Sequence, residues 1–218
     1  MSLAPFLAAG AGYLLGALPF AYLVARAKGV DIFKVGSGNA GATNVFRVMG
    51  PGPGSLVFFL DGAKGALAAG LFPLLHRLGP EHCPFDAGAL ELLSTICLVG
   101  ALLGHSFSCF TGFRGGKSVA TAAGGFAVLF PAGAASALVV FGLTLALFRY
   151  VALSSMLGAV ALAAASVVLG RSALVIGVAC AAAGFVILRH RSNISRLLAG
   201  TEARVGGKNP PSSASPSA

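Results

Sequence analysis

At 218 residues, 56% hydrophobic and 10% charged, the chain has far less charge than an ordinary soluble domain, in which about a quarter of residues are charged. Its apolar residues form long blocks, and a water-soluble fold of this size could not bury so many segments that are apolar all round. The formal charge of +9 is therefore read through the positive-inside rule for membrane loops, and not as a nucleic-acid footprint.

The first apolar block predicts a helix from about Leu3 to Ala25. No Lys or Arg precedes it, so a retained helix is expected in preference to a cleaved signal peptide. A polar, glycine-rich stretch from Arg26 to Gly54 follows. The second helix, about Ser55 to Leu75, contains Asp61 and Lys64. Ionisable residues inside a span are costly and pair or serve a site; at i and i+3 these two can do either or both. After a polar loop from His76 to Asp86, the third helix runs from about Gly88 to Leu103, and a second glycine-rich polar segment from Gly104 to Lys117.

Ser118 to Phe148 is an uncharged block, long for one helix and short for two of standard length. Pro131-Ala132-Gly133 in its middle can turn the chain. Two more apolar blocks cover Tyr150 to Gly170 and Ser172 to Leu188. Charge parity decides the ambiguous block. If it is a two-helix hairpin, Arg26, Lys28, Lys34, Arg47, Arg114, Lys117, Arg149 and the basic C-terminal residues share one side, and only Arg77 and Arg171 fall on the other. The expectation is an all-α polytopic membrane protein of seven transmembrane helices, N-terminus out and C-terminus in. A single domain over residues 1–208 precedes a Pro/Ser/Ala-rich tail, 209–218, expected to be disordered. The four cysteines form no CxxC pair, and no His or carboxylate completes a metal spacing, so no disulfide, metal or cofactor is expected.

This topology places three polar segments on one side. In the first, Gly36 to Asn44, small residues permit close backbone approach and an anion nest, while Ser37, Asn39, Thr43 and Asn44 add polar groups. Arg47 behind them offers a forked donor set that fits phosphate. In the second, Gly104 to Lys117, Phe107, Phe110 and Phe113 recur every three residues, the spacing of an interfacial anchor. Gly115, Gly116 and Lys117 then present bare backbone and an ammonium at a helix start. A P-loop is excluded, since Thr111 stands where its first Gly belongs. In the third, His190 to Glu202, His190 and Asn193 share a helix face. A stop-transfer basic cluster accounts for Arg191 and Arg196 there, but not for Asn193 or Glu202.

Together these motifs resemble one family, the acyl-phosphate:glycerol-3-phosphate acyltransferases of the PlsY type. Ser37-Gly38-Asn39-Ala40-Gly41-Ala42-Thr43-Asn44 with Arg47 looks like its first signature, Gly104-His105 through Gly115-Gly116-Lys117-Ser118-Val119-Ala120-Thr121 like its second, and Asn193-Ile194 through Gly200-Thr201-Glu202 like its third. Ser118 departs from the pattern, where relatives usually have Gly. The resemblance implies a multi-pass enzyme of the bacterial inner membrane with a cytoplasmic active site. It implies fatty acyl transfer from acyl phosphate to the 1-hydroxyl of glycerol 3-phosphate, the first acylation of phospholipid synthesis. The His-x4-Asp pair of the other acyltransferase family is absent: Phe110 and Glu81 stand five residues after His105 and His76.

Acyl phosphate is already activated, so such an enzyme needs chiefly to align two phosphate-bearing substrates and stabilise charge. Arg47, Lys117, His190, Asn193 and Ser37 are the expected phosphate-holding residues, with Lys64, oriented by Asp61, as a further candidate. His105, His190 and the substrate phosphate are the candidate bases, and an acylated Ser37 is the covalent alternative. The partners expected are glycerol 3-phosphate, acyl phosphate and the lipid bilayer. A transporter for organic phosphate is the competing reading, since broken helices and glycine-rich loops also suit transporters. A membrane scaffold would not need Arg47 and Lys117 beside such loops.

Overall fold

The computed structural model describes residues 3–79, 83 and 85–207. The Pro/Ser/Ala-rich tail lies outside the described residues. All regular structure among them is helical: α1 (Ala4–Ala17), α2 (Phe20–Arg26), α3 (Ala42–Met49), α4 (Pro51–Leu78), α5 (Ala87–Ser106), a 3-10 turn (Cys109–Thr111), α6 (Val119–Leu129), α7 (Pro131–Phe148), α8 (Val151–Val168), α9 (Ala173–Arg189) and α10 (Arg191–Leu198).

The first span is not the continuous helix expected. It breaks at Leu18-Pro19, because proline has no N–H to continue the ladder and its ring crowds the preceding turn. At the break the Leu18 carbonyl accepts from the Phe20 N–H at 3.1 Å and from Lys64 Nζ of α4 at 2.8 Å. The uncharged block from Ser118 does split before Pro131, giving α6 and α7. Among the described residues, five segments are long and apolar enough to cross a membrane: Ala4–Arg26, Pro51–Leu78, Gly88–Thr111, Pro131–Phe148 and Val151–Val168. The pair α9 and α10, bent by 58°, makes a sixth if taken as one span. The 11 residues of α6 rise only about 16 Å at ~1.5 Å each, about half a hydrocarbon core.

Small residues set the packing. The Gly12 and Gly16 pair of α1 faces Cys97 and Ala101 of α5 so closely that an added Cβ would lie 1.9 Å and 2.1 Å from their carbonyl oxygens. Close backbone approach of this kind is how helices associate where lipid removes the hydrophobic drive. Gly65 of α4 meets Thr121 of α6 in the same way. The interior is filled by Leu98, Phe126, Leu162, Val175 and Ala179 from α5, α6, α8 and α9. Large apolar side chains such as Phe6, Leu7, Leu138, Leu143 and Leu147 point outward, as lipid-facing residues do.

Candidate active site

The loop before α3 is wound around one side chain. Asn44 is 2% exposed, accepts from the Ser37 N–H at 2.9 Å, and donates to the carbonyls of Val35 at 3.1 Å and Ile32 at 3.3 Å. The left-handed Gly36 and Gly38 let the backbone close around it, and a Cβ at Gly36 would sit 2.3 Å from Asn44 Oδ1. The Ser37 N–H is therefore spent internally and does not join an anion nest as expected. One turn later α3 projects Thr43 and Arg47 from a single face, i and i+4.

The second segment closes back on itself. Gly116 N–H donates to the His105 carbonyl at 3.0 Å, and the Gly116 carbonyl accepts from Arg189 at 3.0 Å and from Ser106 Oγ at 3.2 Å. Gly115 and Gly116 do not line the cleft, contrary to expectation. Their missing side chains serve close packing: a Cβ on Gly115 would meet the His105 carbonyl, and one on Gly116 would meet the imidazole Nε2, each at 2.1 Å. The phenylalanines also divide, because only Cys109–Thr111 is helical. Phe107 packs one face against Phe185 and is the least exposed of the three, while Phe110 and Phe113 are more exposed. The fold thus brings Lys117, and not the glycine backbone, to the cleft.

In the third segment the helix bends at His190, which caps α10. His190 Nδ1 lies 2.8 Å from the Val186 carbonyl; a carbonyl only accepts, so that nitrogen carries a proton, and in the neutral ring Nε2 keeps its lone pair. Asn193 accepts from Lys117 Nζ and donates to Glu202 Oε1 at 2.8 Å. Glu202 Oε2 accepts from Arg196 Nε at 2.7 Å.

The three segments converge. One cleft of about 140 Å³ is lined by Ser37, Asn39, Thr43, Asn44 and Arg47, by Asp61 and His105, and by Lys117, His190, Asn193 and Glu202. Lys64 is the exception among the expected charged residues: it pairs with Asp61 at 2.8 Å and turns to Leu18, away from this cleft. His105 Nδ1 lies 3.5 Å from Asp61 Oδ1, so the imidazole is held between that carboxylate and Gly116. Glu202 is neutralised by Arg196, and Asp61 by Lys64. Among the described residues, neither Arg47 nor Lys117 lies in an ion pair with a carboxylate. The cleft is thus left with two cations in excess. Burial lowers the Lys117 ammonium's pKa to about 8, with Arg196 adding to the effect and Glu202 opposing it.

Sequence reasoning missed Ser155 of α8, buried at 5% exposure and lining the same cleft. A serine in an apolar helix carries no local sign of function, and its hydroxyl bonds the Val151 carbonyl at 2.8 Å as helix serines often do. Also unforeseen is where the cleft leads. Thr43, Arg47, Phe58 and Phe141 are shared with a lateral groove of about 550 Å³ between α4 and α7, walled by Phe46, Phe59 and Leu145. A second, apolar cavity of about 120 Å³ lies beside the cleft against Phe126, Phe141 and Leu162.

The sequence model for glycerol-3-phosphate acyltransferase matches residues 6–200. The chain belongs to the glycerol-3-phosphate acyltransferase family. Proteins of that name are 44% identical in Trichormus variabilis over 90% of this chain and 89% of theirs, and 46% identical in Thermosynechococcus vestitus over 89% of this chain and 92% of theirs. The fold is similar to the crystal structure of PlsY, an integral membrane glycerol 3-phosphate acyltransferase, in its glycerol 3-phosphate form, with TM-score 0.82 and 37% identity over 93% of this chain and 96% of that one. Its lysophosphatidic acid form gives TM-score 0.78. Membership in the glycerol-3-phosphate acyltransferase family sets the transporter reading aside. It also gives the Ser118 departure a physical context. Ser118 is left-handed at φ 60°, a conformation that favours glycine. Here its hydroxyl offsets the strain by donating to the Leu102 carbonyl at 2.7 Å and pairing with Ser106 Oγ at 2.9 Å.

Proposed function

We propose that this chain transfers a fatty acyl group from acyl phosphate to the 1-hydroxyl of glycerol 3-phosphate, releasing lysophosphatidic acid and inorganic phosphate. One observation carries the reading: Arg47 and Lys117 flank a single cleft with no carboxylate partner among the described residues, and that cleft opens into an apolar groove. A polar, cationic end suits two phosphates; an apolar wall suits a fatty chain.

In this reading the donor chain lies between α4 and α7 with its phosphate toward Arg47 and Lys117. Lys117 is held in place by Asn193, which Glu202 orients in turn. The Ser37 and Thr43 hydroxyls supply neutral donors around the second phosphate, and Ser155, whose proton is given to Val151, only lines the wall. The acceptor hydroxyl attacks the acyl carbonyl carbon, the carbonyl–phosphate C–O bond breaks, and the hydroxyl proton leaves with inorganic phosphate. His190, with Nε2 unprotonated, is placed to hydrogen-bond a protonated phosphate. His105 serves by position, wedged under Gly116, and not as the base. No acyl-Ser37 intermediate is required, because the mixed anhydride is already activated.

The finer topology belongs to the same reading: seven crossings with α6 counted as a short one, the N-terminus outside, the C-terminus inside, and the cleft facing the cytoplasm of a bacterial inner membrane. Arg47 and Lys117 line the cleft, Arg196 pairs with its Glu202 and Arg149 bonds Val205 of the adjoining groove, and this basic excess at one end supports it. The test uses purified protein in detergent with acyl phosphate. Phosphate release that depends on added glycerol 3-phosphate, with lysophosphatidic acid formed in equal amount, is expected. Release at the same rate without the acceptor, or none with it, contradicts the assignment.

A further inference from the structure

Beyond the cleft, the lateral groove has a second arginine at its mouth that none of the three motifs accounts for. The chain leaving Glu202 runs back as a short strap over the α7–α8 turn. Val205 N–H donates to the Arg149 carbonyl at 2.8 Å, and Arg149 Nε donates to the Val205 carbonyl at 2.9 Å. This reciprocal pair fixes the strap. Arg204 is then set by Tyr150: its Nε donates to the phenol oxygen at 2.9 Å, and its guanidinium carbon lies 5.0 Å from the ring centroid. Arg204 remains exposed and lines the groove together with Arg47 and Phe59. Among the described residues it has no carboxylate partner.

A guanidinium oriented through Nε still presents its two terminal NH₂ groups, and it stays charged at any working pH. Arg47 stands on the wall that the groove shares with the cleft; Arg204 stands on the strap at its edge. Between them lie Phe46, Phe58, Phe59 and Leu145. An apolar trough with a cation at its edge and another at its inner wall complements an amphiphile with one anionic head and one fatty tail. Glycerol 3-phosphate has the head but not the tail, and has no use for the trough.

We propose that Arg204 is a binding residue specific to the acyl-phosphate donor, taking the donor's phosphate at the groove mouth before the head group passes to Arg47 and Lys117. This rests on the function proposed above. Arg204 touches the donor on entry and not the reacting atoms, so it affects donor capture and leaves the chemistry alone.

The experiment is steady-state kinetics of the purified full chain in detergent, varying acyl phosphate and glycerol 3-phosphate separately. Arg204→Ala is expected to raise the KM for acyl phosphate roughly fivefold to tenfold, the loss of one partly exposed charged contact. The KM for glycerol 3-phosphate and kcat are expected to stay within about twofold, as a capture role outside the chemistry requires. Arg204→Lys is expected to recover most of the donor KM, and Tyr150→Phe to raise it less than Arg204→Ala does. If Arg204→Ala unfolds in detergent, Arg204→Gln, which keeps a donor for Tyr150, is read in its place. An unchanged donor KM, or equal rises for both substrates, overturns the capture role. A wild-type protein that makes no lysophosphatidic acid in the same assay overturns the function reading instead, so the two failures are distinct.

Discussion

Two lysines of this protein, Lys64 buried and Lys117 half-buried, differ in their surroundings. Lys64 is 3% exposed and its partners are internal: Asp61 lies 2.8 Å away and the Leu18 carbonyl, at the helix break, lies at the same distance. Lys117 is held by the neutral amide of Asn193, while the carboxylate behind that amide, Glu202, is already committed to Arg196. One cation completes a helix break; the other keeps an uncompensated charge facing a cleft. A buried charge whose partners are all internal holds the fold, and one positioned by neutral groups is poised for an anion from outside.

The largest expected effect separates the two on activity. Lys117→Ala and Arg47→Ala should each lower kcat/KM by about a hundredfold or more, the scale of losing a charged group that stabilises developing phosphate charge. Their thermal midpoints in detergent should stay near wild type, since each removes an uncompensated cation. A preserved rate in both would make the two lysines alike after all. The next contrast is on stability. Lys64→Met strands Asp61, and breaking a buried pair costs about 3–5 kcal/mol. The double variant Asp61→Asn/Lys64→Met should recover part of that loss in thermal unfolding; no recovery would mean that the pair is not what Lys64 contributes.

A pH series sharpens the comparison further. Burial lowers Lys117 to a pKa of about 8, so the ammonium is complete below that value and is lost as pH rises through it. Affinity for phosphorylated substrates should therefore weaken on the alkaline side, by up to about tenfold per pH unit. Bound phosphate stabilises the cation, so kcat should fall at higher pH than kcat/KM. Lys117→Arg should move the fall beyond the accessible range. The smallest effect concerns Ser118. Ser118→Gly relieves the left-handed strain but removes two hydroxyl contacts, and should change stability little. Ser118→Ala keeps the strain and loses the contacts, costing about 1–2 kcal/mol by denaturant or thermal unfolding.

The sequence made some of this legible for identifiable reasons. The uncharged block from Ser118 had a stop signal in Pro131, and the structure turns there. Arg47, Lys117 and Asn193 were assignable to one site because cation, glycine and amide are dear in a membrane protein and fell on one side by parity. The break at Pro19 was missed because the apolar run around it is continuous, and periodicity is blind to a kink inside a fully apolar block. The helix over Ala42–Met49 was hidden in a stretch whose glycines and polar residues read as loop. Ser155 and Arg204 were invisible for another reason: one lies in an apolar helix, the other among basic residues explained by topology, and only the packing of α8 and the strap brings them to the cleft and the groove.

The central claim is that Arg47 and Lys117 act as one uncompensated cationic clamp for phosphate. Its most direct test is equilibrium binding of a non-transferable acyl phosphonate, the donor's stand-in, without glycerol 3-phosphate, to the purified wild type, Arg47→Ala, Lys117→Ala and the exposed-site control Arg191→Ala. Binding lost or strongly weakened in the first two variants and kept in the third is the predicted result. Binding of wild-type strength in both Arg47→Ala and Lys117→Ala would contradict the account.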